Sequence, residues 1–201
     1  MQLRYSPTLP YVRKVSVMMI ETGLSGQIDR VLTKPWDPQA DLGGTNPLGK
    51  VPALITPDGA EIFDSRVICE HLEAMHDGEP LFPLEPKPRS VALRLQALAD
   101  GILDAVILRL VEERRRPGEY CRPVWCDCQA TAMNRSLDWP EEQRSLLDSP
   151  LTIGSIAVGC MLGYLDFRYA AQNWREGRDG LAGCYSAFAQ RPSMHDTVPV
   201  Q

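Results

Sequence analysis

Hydrophobic and polar positions along this chain change their period repeatedly, and each change marks an element. "QLRYS" at the start reads as a short strand, and "TLP" closes it with a turn. Val12, Val15, Met19 and Ile20 recur at helical spacing as far as Glu21, with Gly23 placed to stop that helix. "QIDRVL", Gln27 to Leu32, alternates again and predicts a second strand parallel to the first, so the opening is a βαβ unit. A loop rich in Pro, Gly and Asn covers residues 34–49. "VPALI", a two-residue turn at Asp58-Gly59 and "AEIF" then predict a hairpin. Asp64 or Ser65 caps the next helix, whose Ile68, Leu72 and Met75 face inward and which Gly78 ends.

Beyond this point the alternating pattern disappears. "GEPLFPLEPKP" is proline-dense and aperiodic, which marks a linker. We expect one domain over residues 1–79, the linker over 80–87 and a second domain over 88–201. The second domain reads as helical throughout. Ser90 to Glu113 is apolar nearly all round between Gly101 and Val111, so that helix should be central and buried. Further helices are expected at about Val124 to Leu147, Thr152 to Tyr169 and Leu181 to Gln190. The fold class expected is a small α/β domain, ordered β-α-β then β-β-α, followed by an all-α domain.

Composition narrows the function. The chain has 201 residues, 44% of them apolar and 23% charged, which is ample for a packed core. A formal charge of −5 argues against a nucleic-acid surface, where clustered Lys and Arg carry phosphate binding. The basic run Arg114 to Arg116 ends at Pro117-Gly118 and reads as a solvated helix terminus favoured by the helix dipole, with contact to an anion or substrate as the alternative. The N-terminus has no charged region followed by an apolar stretch, and Ile153 to Leu165 is too short and glycine-rich to span a bilayer, so a cytoplasmic protein with no membrane partner is expected. Cys121, Cys126 and Cys128 lack a second ligand pair, so the six cysteines are expected to be free thiols with no metal. His71, His76 and His195 are scattered, and none reads as catalytic.

Pro52 stands out. It begins a strand that reads as inward-packing, yet proline cannot donate to a ladder, and an edge strand is one explanation. The other comes from resemblance. "SPTLPYVRKVSVMMIETGL", "NPLGKVPALITPDG", "IFDSRVICEHLE" and "LTIGSIAVGCMLGYLDFR" resemble, in order, four signature regions of the cytosolic glutathione transferases, across nearly the whole chain. The nearest resemblance is to bacterial members of uncertain class with a serine or threonine type of N-terminus.

That resemblance implies a thioredoxin-like N-terminal domain and a set of site residues. Pro52 would follow a cis bond, with the backbone of Val51 pairing with the cysteinyl main chain of glutathione as an added strand. Ser65 would give its N–H and hydroxyl to the γ-glutamyl carboxylate at a helix N-terminus, and Asp64 would help hold the amine, although Glu is commoner there in the family. Lys50 would neutralise the glycyl carboxylate. The thiol must be ionised to act, and a hydroxyl beside the first helix can favour the anion. Leu9 occupies one of the usual hydroxyl positions, so Thr8 is the candidate, with Ser6 in reserve. Tyr11, Arg109, Tyr120 and Trp125 are candidates for the electrophile pocket in the helical domain. Thr152 matches a capping position, but Ser155 replaces the usual acid and should close the box more weakly. The implied activity is glutathione transfer to a small hydrophobic electrophile or a peroxide, by a homodimer with no metal. The alternative is a non-catalytic module of the same fold that binds glutathione or another protein.

Overall fold

The structure is a computed structural model that describes residues 1–147 and 150–200. Strands β1 (Gln2–Tyr5), β2 (Asp29–Leu32), β3 (Ala53–Ile55) and β4 (Glu61–Ile62) form one sheet in the order β2-β1-β3-β4. β1 and β2 are parallel, and β3 is antiparallel to both of its neighbours. Leu3 pairs with Arg30 on one side and Leu54 on the other, and Leu54 pairs with Ile62. Helix α1 (Pro10–Glu21) connects the parallel strands, and α2 (Ser65–Glu73) follows β4. The remainder is helical: α3 (Pro86–Arg114), α4 (Pro123–Glu142), α5 (Ile153–Tyr169), α6 (Asp179–Phe188) and α7 (Pro192–His195).

Several boundaries differ from expectation, each for a local reason. The hairpin has a three-residue loop rather than a two-residue one. Gly59 N–H bonds Thr56 C=O at 3.0 Å and Thr56 N–H bonds Ala60 C=O at 3.0 Å, so the turn begins at Thr56, with Pro57 setting its second position and Gly59 taking φ 87°. Helix α2 ends at Glu73, not near Gly78. The Glu73 carboxylate accepts from the N–H of Phe82 at 3.0 Å and of Leu81 at 3.3 Å, which folds the chain back on the helix end. Helix α3 starts at Pro86, inside the expected linker, because prolines are tolerated in a first turn where N–H groups have no helical partner. The segment expected to be helical through Leu147 breaks after Glu142 into a turn of 3₁₀ helix at Arg144–Leu146, just after Pro140. Pro192 opens a further short helix, α7.

The core explains why α1 carries the site. Leu3, Val15, Met19, Leu54 and Leu72 pack with Ile153, Ile156 and Cys160 of α5 in one cluster, so α1 lies between the sheet and the helical domain. A second cluster joins Leu95, Leu103, Leu137 and Met161 across α3, α4 and α5. Helix α5 passes close beneath α3: a Cβ on Gly154 would stand 2.6 Å from the Ala92 carbonyl oxygen. Its start is a closed capping box. Ser155 N–H bonds the Thr152 hydroxyl at 3.3 Å, and Thr152 N–H bonds Ser155 Oγ at 3.0 Å, so serine does close the box in place of the expected acid. No helix among the described residues is long and apolar enough to cross a membrane.

Candidate functional site

A cleft of about 130 Å³ opens where the loop before β3, the start of α2, the first turn of α1 and the middle of α3 meet. Two separate segments, Lys50, Val51 and Pro52 and then Asp64 and Ser65, both line it. The Val51–Pro52 peptide bond is cis. Ladder pairing of β3 with β1 begins at Ala53, so Val51, which lines the cleft, lies just outside the sheet. Buried Asn46 holds the approach to it. Its side-chain amide donates to the Lys50 carbonyl at 2.8 Å and its oxygen accepts from Leu48 N–H at 3.0 Å, so the short loop is tied down from within.

The start of α2 presents groups suited to a carboxylate. Asp64 is the N-cap, accepting from Arg66 N–H at 2.9 Å, and Ser65 behind it is 3% exposed. The Ser65 hydroxyl has no protein partner among the described residues, and the free N–H groups of a helix start add partial positive charge.

Charge at the floor of the cleft comes from α3, which the sequence reading did not connect to it. Asp100 is buried, accepts two bonds from Lys14 Nζ at 2.8 and 2.9 Å, and takes a third from Arg66 Nε at 2.8 Å. Asp104, one turn further, accepts from the Tyr11 hydroxyl. Burial first, then that bond, pushes the Tyr11 phenol well above its ordinary range. Tyr11 therefore lines this cleft as a neutral donor to Asp104. Arg66, Asp100 and Asp104 were missed because only packing of α2 and α1 against α3 brings them together; a charged residue inside an apolar helical run, as Asp104 is, was the signal available.

The hydroxyl candidates lie on the other side of the α1 N-terminus. Ser6 Oγ and Thr8 Oγ1 are 3.2 Å apart, Ser6 buried and Thr8 half-buried. Both line a second cavity of about 270 Å³ walled by Ile107, Leu110 and Val111 of α3. Leu9, the N-cap of α1, also lines it and packs against the cluster containing Val51. No side chain caps α1, and its first turn holds no acid, which leaves its positive end uncompensated by the chain.

Arg109 and Tyr120 are not brought to this cavity. Arg109 pairs with Glu113 at 2.7 Å and bonds Gln172 Oε1 at 2.9 Å, while its guanidinium lies over the Tyr169 ring. Ile107, Leu110, Val111 and Arg114 follow the i, i+3, i+4, i+7 stripe that faces the cavity, and position 109 falls on the opposite side. Tyr120 is 60% exposed and Trp125 47% exposed, and neither lines it. Two arginines read as a solvated helix end, Arg114 and Arg115, do line it. A larger cavity of about 1210 Å³ beside the linker contains none of the candidate residues.

Among the described residues no disulfide is formed. Burial pushes Cys69 up to about 12 and Cys160 up to about 11, so both remain protonated at neutral pH. Among the described residues no group of His, Cys, Asp and Glu is arranged to hold a metal ion.

Residues 10–75 match the glutathione S-transferase N-terminal domain, and residues 95–183 match the glutathione S-transferase C-terminal domain. The chain belongs to the glutathione S-transferase family, with the thioredoxin-like first domain and helical second domain of that fold. The uncharacterized GST-like protein YibF of Escherichia coli K12 is 34% identical over 99% of this chain and 98% of its own length. A crystal structure of a glutathione transferase family member from Pseudomonas fluorescens Pf-5 with bound glutathione is 40% identical, superimposes with a TM-score of 0.94, and is matched over 100% of this chain and 99% of that one. A structure from the same source with bound S-(propanoic acid)-glutathione is 39% identical over 100% of both chains, with a TM-score of 0.93.

Proposed function

We propose that this protein is a glutathione transferase, taking glutathione as co-substrate and joining its sulfur to a small electrophile with an apolar body. The observation that carries this reading is the convergence of Lys50, Val51, Pro52, Asp64 and Ser65 on one cleft, with Thr8 and Ser6 on the adjoining cavity. Glutathione in the Pseudomonas relative supports it.

In this reading the cysteinyl main chain pairs with the backbone of Val51, and the γ-glutamyl carboxylate takes the N–H and hydroxyl of Ser65. Asp64 and the acids of α3 face the γ-glutamyl amine, and Lys50 faces the glycyl carboxylate. The thiol then lies at the α1 N-terminus, loses its proton to solvent and is held as thiolate by the Thr8 hydroxyl and the helix dipole. The Ser6–Thr8 contact fits this role: a hydroxyl that accepts from Ser6 keeps its own proton for sulfur. The sulfur attacks an electrophilic carbon seated against Ile107, Leu110 and Val111, forming a C–S bond. Calorimetric titration with glutathione tests this directly: micromolar to millimolar binding is expected, and no detectable binding would overturn it.

The second reading is a non-catalytic module of the same fold. Leu9, whose side chain cannot donate, stands beside the proposed sulfur position and favours it, and bound glutathione that never ionises would support it.

The working form proposed is a two-fold homodimer in the cytoplasm. Val67 on α2 is 51% exposed and Leu93 on α3 is 38% exposed, leaving apolar groups on the outer faces of both domains. Light scattering at micromolar concentration should return twice the mass of one chain; the mass of one chain would reject the dimer.

A further inference from the structure

We infer that the electrophile taken by the second cavity carries a carboxylate, which Arg114, Arg115 and Arg168 receive. This deepens the transferase reading and rests on it, since Thr8 on the same cavity is where the sulfur is placed.

The cavity is cationic in an acidic protein. Its lining includes three arginines and no Asp or Glu, although the chain as a whole carries a formal charge of −5. Among the described residues none of the three has an acidic partner. Their neighbours on the same helix end do: Arg109 pairs with Glu113 at 2.7 Å and Arg116 with Glu112 at 2.9 Å. Like charges gathered without counter-charge repel, and a bound anion removes that cost.

The three guanidinium groups are held in place by uncharged contacts instead. Arg115 lies over the Trp36 ring at 4.8 Å, Arg168 over Phe167 at 4.1 Å, and Arg114 donates to the Arg168 carbonyl at 3.2 Å. These contacts occupy a face or one N–H and leave further donors for a ligand. Arg168 Nε is also buried without a hydrogen-bond partner, and the hydroxyl of Tyr164, a residue only 1% exposed, is buried beside the Arg168 guanidinium without a well-formed hydrogen bond. Unmade bonds at buried donors cost free energy, and a carboxylate, which only accepts, satisfies several at once. Ile107, Leu110 and Val111 are placed for the short carbon skeleton.

For an α,β-unsaturated carboxylate the step balances without a leaving group. The thiolate attacks the β-carbon and forms the C–S bond while the π pair moves to the α-carbon. That carbon takes one proton from water, equal to the proton released when the thiol ionised, and the product is an S-(carboxyalkyl)glutathione.

Binding separates this from intrinsic reactivity, because carboxylate and amide acceptors differ in rate without any enzyme. S-(2-carboxyethyl)glutathione and S-(2-carbamoylethyl)glutathione have nearly the same shape and differ in charge. By calorimetry the carboxylate should bind roughly ten-fold more tightly than the amide. Arg114→Gln with Arg168→Gln, and Tyr164→Phe alone, should remove most of that preference while glutathione itself binds as before. Arg114 and Arg115 are exposed, so Arg114→Gln with Arg115→Gln provides a variant whose folding is not at risk. Equal affinity for the two conjugates, or a preference that survives the arginine substitutions, would overturn the inference while leaving glutathione binding intact. Failure of glutathione and both conjugates to bind would remove the transferase reading and this inference together.

Discussion

Lys14 on α1 and Asp100 on α3 meet at 2.8 Å with both side chains 2% exposed, an ion pair that ties the two domains together directly beneath the cleft lined by Val51 and Ser65. Arg66, half-exposed on α2, completes the arrangement by donating to the second Asp100 oxygen at 2.8 Å. One carboxylate thus connects three helices and sets the position of the residue that follows Ser65.

Removing one partner strands a buried charge. Asp100→Ala and Lys14→Ala should each cost about 3–5 kcal/mol in chemical denaturation, whereas Lys14→Met with Asp100→Leu should cost much less than the sum. Additive losses would show that the two charges act independently. Asp100→Ala should also weaken glutathione binding in whatever fraction remains folded.

Ser65→Ala removes the one hydroxyl that the described residues place in the cleft at the α2 start. Glutathione affinity should fall roughly ten-fold, a loss of about 1–3 kcal/mol for an interaction with a charged acceptor. Unchanged affinity by calorimetry would free Ser65 from the γ-glutamyl assignment.

Glu21 at the end of α1 receives Arg191 Nε at 2.8 Å and Nη2 at 2.7 Å, and Ser193 Oγ as well. The arginine bonds, and then the serine bond, outweigh burial and hold its carboxyl below the usual carboxylate range. A depressed folded pKa contributes stability above the unfolded value and loses it as pH falls through the folded one. The wild type should therefore be stabilised relative to Glu21→Gln at neutral pH, with the difference shrinking below the usual carboxylate range. A difference independent of pH would point to packing instead.

Gly154 permits the close pass of α5 under α3, since an added Cβ would meet backbone at 2.6 Å and Leu95 Cβ at 2.8 Å. Gly154→Ala should destabilise by about 1–3 kcal/mol, as overpacking does. Thr152→Ala, which opens the capping box at the same helix start, should cost about 0.5–2 kcal/mol. Thermal denaturation of both variants tests the order; a neutral Gly154→Ala would mean the helices can separate without penalty.

The parts of the site visible in the sequence are those made by short continuous motifs. Val51 and Pro52 sit at a strand start and Asp64 and Ser65 at a helix start, and each place is set by residues within a few positions. Asp100 and Arg66 are 34 residues apart and meet only when α2 packs near α3, so no local period announces them. Helix phase decided the pocket residues. Arg109 and Arg114 share one helix, but the side facing the cavity depends on where α4 and α5 pack, information carried by residues far along the chain. The same holds for the hairpin: Asp58-Gly59 is a strong local turn signal, and Pro57 before it moved the turn by one residue.

The thiol's ionisation in the bound complex is the most direct test of all this chemistry. Thiolate absorbance of glutathione bound to the wild type, followed against pH, should titrate well below the ordinary thiol value of about 8.5, and Thr8→Val should raise the midpoint by about one unit while glutathione affinity stays the same. Ser6→Ala should shift it in the same direction by less, since in the proposed arrangement Ser6 donates to the Thr8 hydroxyl, 3.2 Å away. A bound thiol that titrates like free glutathione, or a midpoint indifferent to Thr8→Val, would contradict activation of sulfur at the α1 N-terminus by this hydroxyl.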